Sequence, residues 1–281
     1  GYQALDAQNF TTITNAYNIA IGSSAGGAIT TGTLNTIVGG LAGDALTAGG
    51  RNVVMGQGAL STDTLGSRSV SIGYASLTSQ NLTTATDTYN IAVGYAAGNA
   101  ITTGTTNTLI GGLTGDAITS GNSNTAIGYQ ALSADTLGDR NVAIGLQALL
   151  AQNFTTTTDA YNTAVGYHAG HNITTGNDNT LIGGLAGDAL TDADDNVAVG
   201  RSALGQDTLG SRTVAVGFGA LQVQNFTTAT NSYNIAMGYN AGASVTTGTQ
   251  NTLIGGLAGD ALQAAADNVA LGFEALTTET G

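Results

Sequence analysis

The chain has 281 residues, 43 of them Gly, with no Pro, Cys or Trp, and a net charge of −13 from sixteen Asp and two Glu against five Arg. The absence of Cys removes disulfides, thiol nucleophiles and thiolate metal sites, and an acidic surface without Lys disfavours nucleic-acid phosphates and anionic lipid. No run of about 18 apolar residues is present to insert into a membrane, and a hydrophobic content of 42% with strict periodicity does not suit a disordered chain.

The sequence repeats every 72 residues: Gly1-Tyr2-Gln3-Ala4-Leu5 returns as Gly73-Tyr74-Ala75-Ser76-Leu77, Gly145-Leu146-Gln147-Ala148-Leu149 and Gly217-Phe218-Gly219-Ala220-Leu221. A fixed period of this kind marks a solenoid or an array. Each block divides further into units of the form Asn-x-Ala-x-Gly-x-x-Ala, fifteen in all from residue 18 to residue 268, spaced 17, 17, 17 and 21 residues apart. Asn opens thirteen of them, with Ser69 and Thr213 as substitutes, and the fifth position is always Gly.

Apolar or β-branched residues recur at the second and fourth positions, from Ile19 and Ile21 to Val269 and Leu271. Period two of this kind predicts a strand of about five residues ending at the Gly. A second loose segment and a turn rich in Thr, Gly, Asp and Asn complete one coil of a parallel β-solenoid, whose neighbours pair at about 4.8 Å. Seventeen residues give a contour of about 56 Å, enough for two short strands and two turns, so a flattened roll is expected. The absence of Pro agrees with coils hydrogen-bonded on both sides. The chain is read as all-β and as one repetitive segment, residues 1–281, of a longer fibre protein.

Alternation along the strand puts the second and fourth positions on one side and the first, third and fifth on the other. The branched pair is expected to fill the roll, leaving the small set outside. Ala20, Ala92, Ala126, Ala143, Ala164, Ala198, Ala215, Ala236 and Ala270 would then form an apolar stripe, read as the axis of a symmetric homo-oligomer. Asn at the first position is expected to stack as a side-chain amide ladder.

In chain order, the four-residue insertion is met first, as Gln8-Asn9-Phe10-Thr11-Thr12, and returns with Asn81 and Leu82, Asn153 and Phe154, and Asn225 and Phe226, each followed by a Tyr. A protruding loop of this composition could contact sugars with avidity; the favoured reading is that Phe or Leu plugs a wider coil. Asn-x-Thr there matches a glycosylation acceptor. Gly39-Gly40-Leu41-Ala42-Gly43-Asp44, and its repeats, lack the Lys-Ser/Thr ending of a phosphate loop and read as turns. Asp63-Thr64-Leu65-Gly66 recurs at 135 and 207, with Arg68, Arg140 and Arg212 five residues after each Asp, and exposed ion pairs are expected there. His168 and His171 read as surface residues, and Asp192, Asp194 and Asp195 as a solvated turn whose spacing fits no calcium motif. No cofactor is called for.

Asn124-Thr125-Ala126-Ile127-Gly128-Tyr129-Gln130-Ala131-Leu132 and Asn90-Ile91-Ala92-Val93-Gly94-Tyr95-Ala96-Ala97 resemble the head repeats of YadA-like trimeric autotransporter adhesins and the related repeats of bacteriophage tail fibres, over all fifteen units. The resemblance implies a left-handed β-roll, a homotrimer and attachment to a host surface glycan or protein, outside the cell, without enzymatic activity. The 17-17-17-21 spacing departs from the usual adhesin repeat. A phage fibre and a bacterial adhesin both remain open. An ice- or carbohydrate-binding solenoid is the alternative, disfavoured for ice because Thr102-Thr103 and Thr174-Thr175 recur only once per four coils. A polysaccharide-degrading tailspike would need a carboxylate pair, and the only Glu residues are Glu274 and Glu279.

Overall fold

The computed structural model describes residues 1–278, which contain no helix. The chain is a parallel β-solenoid of about fifteen coils, each contributing one three-residue strand at positions 2–4 of the unit, from Ile19–Ile21 to Val269–Leu271. It divides into two compact units: residues 1–140 with 155–158, holding seven of these strands, and residues 141–154 with 159 onward, holding eight. Within each unit neighbouring strands pair in parallel and in register, Ile19 against Thr36 in the first and Thr163 against Thr180 in the second. Register survives the insertion, since Val70 pairs with Ile91 across 21 residues as Val53 pairs with Val70 across 17.

The strands are shorter than the five residues expected because both ends are specialised. Gly at position 5 takes φ near +135° to +140°, as at Gly39, Gly56 and Gly145. A Cβ on Gly39 would lie 2.5 Å from the Gly56 carbonyl oxygen, so both the dihedral and the stacked glycine column forbid any side chain. The second side of the coil is turn rather than strand. Only beside insertions does it form two-residue strands, Gly66–Ser67 with Thr86–Asp87 and Gly210–Ser211 with Thr230–Asn231.

Positions 7, 9 and 17 adopt left-handed backbone conformations even where they are not Gly, as at Leu41, Leu60 and Arg51. Such conformations cost about 1–2 kcal/mol per residue. Here each turns a peptide along the stacking direction: Leu41 N–H donates to the Ser23 carbonyl, Leu60 N–H to Ser76 and Arg51 N–H to Thr33, all in adjacent coils. The turns are thus hydrogen-bonded from coil to coil as well as the strands.

At the other strand end stands the Asn ladder. Asn35 Nδ2 donates to the Gly49 carbonyl at 3.0 Å, closing its own coil, while its Oδ1 accepts the Asn52 backbone N–H of the next coil at 3.0 Å. The pattern repeats at Asn107, Asn179 and Asn234. The expected amide ladder exists, and its Asn residues from Asn35 to Asn251 are buried, with Asn18 and Asn268 in the end coils half-buried.

The strand faces are the reverse of the expectation. Positions 1 and 3 point into the roll and positions 2 and 4 point out. Ala92, Ala126, Ala143, Ala164, Ala198, Ala215 and Ala236 have no exposed surface, Ala270 keeps 3%, and Ala20 in the first coil is half-buried. None of these methyls can form an inter-chain axis. The reason is width: a 17-residue coil leaves room for Ala from the strand opposite Ala and Leu or Ile from the turns, not for two branched ranks.

Volume inside is shared between coils. In the first and second coils of a block position 9 is Gly and position 12 Ile, Leu or Val; in the third and fourth, position 9 is Leu and position 12 Asp or Gln, with Glu279 in the last coil. A Cβ on Gly98 would lie 2.8 Å from Leu109 Cδ1 and 3.1 Å from both Ile101 Cδ1 and Leu77 Cδ2, so its absence makes the space those side chains fill.

Replacing Asn35 by Ala leaves the Asn52 N–H and the Gly49 carbonyl without partners. It is expected to cost roughly 1–3 kcal/mol per orphaned group, read as a lower urea midpoint, and Asn35→Asp, which keeps the acceptor but sets a buried carboxylate against the Gly49 carbonyl, is expected to be no milder at pH 7.

Candidate functional site

The insertions are built around a buried polar knot. Asp63 has no exposed surface; its Oδ1 accepts the Gly66 and Leu82 backbone N–H groups at 3.1 and 3.3 Å, and its Oδ2 accepts Gln80 Nε2 at 2.6 Å. Gln80 Oε1 in turn accepts Asn90 Nδ2 at 2.9 Å, joining the knot to the Asn ladder. The same bonds recur among Asp207, Gly210, Phe226, Gln224 and Asn234. A Cβ on Gly66 would sit 2.0 Å from Asp63 Oδ2, which explains the Gly of the Asp-Thr-Leu-Gly motif. These Asp residues are therefore not the exposed partners of the Arg residues.

Arg68 turns outward, its Nε 3.0 Å from Asp87 Oδ1 and its Nη1 donating to the Tyr89 hydroxyl at 2.9 Å. Arg212 reaches Asp195 and Tyr233 in the same way, at 3.3 Å each. Solvent-exposed pairs of this kind are screened by water and salt and contribute little to stability.

The two units that lack the opening Asn are matched within the knot. Ser69 Oγ bonds Thr88 Oγ1 at 2.6 Å and Thr213 Oγ1 bonds Ser232 Oγ at 2.6 Å, whereas Asn141 has Ala160 at the corresponding place. A short hydroxyl calls for a second hydroxyl, and the longer amide for a small neighbour.

Leu82, Phe154 and Phe226 retain 7%, 5% and 5% of their surface, and Phe10 is half-buried. They plug the wider coil, and Leu82, Phe154 and Phe226 leave almost no surface for a ligand. Asn9, Asn81, Asn153 and Asn225 are exposed, as are the following residues 83–85, 155–157 and 227–229. Asn81 and Asn225 use Oδ1 to accept Thr64 and Thr208 hydroxyls. The Asn side chains, the Thr tips with Ala85 and Ala229, and the rings of Tyr89, Tyr161 and Tyr233 are accessible.

Asn81 also interrupts a Thr column that the Thr-Thr pairs conceal. At position 13 the first three coils of each block carry Thr, apart from Gln263, and in the second coils the hydroxyl donates to the carbonyl one coil on: Thr47 to Thr64 at 3.0 Å, Thr119 to Thr136 at 3.1 Å and Thr191 to Thr208 at 3.0 Å. These hydroxyl protons are committed to the stack rather than offered to water.

The outward ranks at positions 2 and 4 contain only Val, Ile, Thr, Met and Leu, with no charged residue. Ile21, Met55 and Ile182 expose 60%, 41% and 40% of their surface. At the following turn, position 6 adds exposed aromatics. Tyr74 and Tyr95 stack at 5.6 Å and 8°, and Phe218 and Tyr239 at 5.5 Å and 12°. Beside them His168 lies between Tyr167 and His171, at 3.9 and 4.5 Å; burial, then the neighbouring His171, lowers its pKa.

The Asp cluster divides among separate neighbours: Asp192 accepts the Thr175 hydroxyl, Asp194 the Asn177 N–H and Asp195 the Arg212 guanidinium. Among the described residues no three Asp, Glu or His side chains converge on a metal position. Glu274 is exposed, and Glu279 lies outside the described residues.

A last acidic column was not apparent in the sequence reading. Asp44, Asp116, Asp188 and Asp260 occupy position 10 of each second coil, and desolvation raises the pKa of the first three, with their own backbone N–H groups pulling it partly back. One carboxylate oxygen of Asp44, Asp116 and Asp260 is buried without a hydrogen-bond partner. The signal available in the sequence was alignment by coil position instead of by motif.

No protein-family model matches the chain, and neither a curated protein nor a solved structure is significantly similar to it.

Because the folded state holds the Asp116 proton more tightly than the unfolded chain, this group costs stability as pH rises above the ordinary value of 3.8. Asp116→Asn is expected to raise the melting temperature at pH 7 and to leave it unchanged at pH 3, where the carboxyl is neutral in both states.

Proposed function

We propose that the chain is a structural and adhesive segment of an extracellular fibre, formed by three copies of a left-handed β-roll on a phage tail or a bacterial surface, and not an enzyme. The observation that carries this reading is the pair of uncharged outward ranks. A chain of net charge −13 meets a like-charged copy most favourably through a face that bears none of that charge. Exposed contiguous apolar surface of this kind is typical of interfaces. The YadA-like character of the repeats supplies the chain number and the handedness.

The copies meet through positions 2 and 4 in this reading, not through the Ala column. Host contact falls to the remaining surfaces, including the Asn and Thr tips of the insertions, or to other parts of a longer protein.

Light scattering coupled to size exclusion tests the proposal. A mass of three chains is expected, and a monomer at all concentrations would overturn it. Ile127→Asp with Val165→Asp is expected to reduce the mass to one chain while the β-sheet circular dichroism is kept.

A further inference from the structure

Position 10 of the coil points outward in a column, and in two places that column is missing a side chain. Gly27 leaves a notch of about 280 Å³ in the first unit, bordered by Gln3, Asp6, Ser24, Leu41 and Asp44. Gly205 leaves one of about 190 Å³ in the second, bordered by Leu185, Asp188, Ser202, Gln206 and Gln222. The two are built alike. Each has the second-coil Asp on one side, an Asp or Gln two coils away on the other, a Ser hydroxyl from position 7 between them, and a Leu from the same coil as the Asp.

The glycine is what opens each notch. Elsewhere in the column the equivalent places all carry a side chain: Asn99, His171 and Ala243 in the first coils of their blocks, Ser61 and Ser133 in the third. Asn99 folds its amide back onto the Ala75 carbonyl at 3.1 Å, across the space that Gly27 leaves empty. Neither Gly27 nor Gly205 has a positive φ, so the backbone itself does not require glycine. A Cβ on Gly205 would lie 3.5 Å from Asp188 Oδ1, which places that carboxylate at the edge of the vacant volume.

We propose that the notches over Gly27 and Gly205 each hold one neutral sugar unit of a glycan chain. The first is close to the roughly 300 Å³ at which ligand pockets begin and the second is about two thirds of it, sizes that suit a single ring rather than a longer ligand. The lining offers carboxylate oxygens to accept from vicinal hydroxyls, amides and a Ser hydroxyl that donate as well as accept, and one Leu for the C–H face of the ring. No cation borders either notch, so phosphate, sulfate and acidic sugars are repelled. The second notch has one carboxylate, too few for a metal ion held by side chains. Desolvation at Asp44 and Asp188 gives hydroxyl donors a gain on replacing water there. Single-ring sites are individually weak, and repetition along and between chains raises the effective affinity.

This inference rests on reading the chain as an attachment segment, and the experiment separates the two. The full chain and its Gly27→Asn/Gly205→Ser variant are applied to an array of neutral, amino and acidic oligosaccharides, with melting temperature and particle mass measured in parallel. The variant copies side chains that the chain already carries in this column, so its stability and mass are expected to match the parent. Binding of neutral oligosaccharides is expected for the parent and a loss of at least about tenfold for the variant, as for removal of a well-made hydrogen-bonded contact. Asp44→Asn/Asp188→Asn should weaken binding in the same set. No glycan bound by the parent, or equal binding by the variant, overturns the assignment. Calcium chloride titration giving notch-dependent heat without glycan binding overturns it in favour of a cation. A trimer that binds no glycan removes the notches alone; a monomer with notch-dependent binding removes the fibre reading alone.

Discussion

The structure depends on the side-chain amide of the residue that opens each coil. It closes its own coil through Nδ2 and receives the next through Oδ1, so one residue type satisfies two backbone groups that a short strand leaves over. At about 1 kcal/mol net per hydrogen bond the individual gain is modest. The cost of omission is larger, because these groups are buried and have no water to fall back on. Where Asn is absent, at Ser69 and Thr213, the insertion supplies Thr88 or Ser232 as a paired hydroxyl, and the Gln80 or Gln224 amide donates to the opening hydroxyl. Where Asn is kept, at Asn141, the ladder runs through the irregular coil, its Oδ1 accepting the Asn162 N–H at 3.3 Å.

Coil architecture was legible because its signals are repeated and local: the Gly at position 5, the period-two strand, the spacing of 17 and 21. Which face points inward was not, because alternation is symmetric under exchange of faces and a shift of one residue reverses it. Branched residues at positions 2 and 4 looked like a core. The decisive residues were Asn at position 1, which shares a face with Ala at position 3, and Leu109, Leu181 and Leu253, too large for a solvent stripe and buried here. An amide ladder across a roll this narrow has to be inside, and it takes position 3 inside with it.

The insertion illustrates the same limit at the site. Its aromatic plug was readable from one Phe or Leu among polar residues. Its carboxylate was not, since Asp63 and Gln80 belong to different motifs 17 residues apart and become partners only when the coils are superposed by position. The notches at Gly27 and Gly205 escape motif reading for a similar reason: each is defined by what is missing from a column whose members are whole coils apart. In this fold chemistry is arranged along the stack, across sequence separations of 17 or 21, and the functional surfaces follow that direction.

The inward and outward assignment can be tested directly because the chain has no Cys of its own. Single variants Ala126→Cys and Ile127→Cys would be exposed to a thiol reagent in the native state and again in denaturant. The account predicts that Ala126→Cys stays unreactive until denatured, assembled or not, while Ile127→Cys reacts freely in the dissociated chain and slows only as copies associate. Free reaction at residue 126 with silence at residue 127 at every concentration would contradict it.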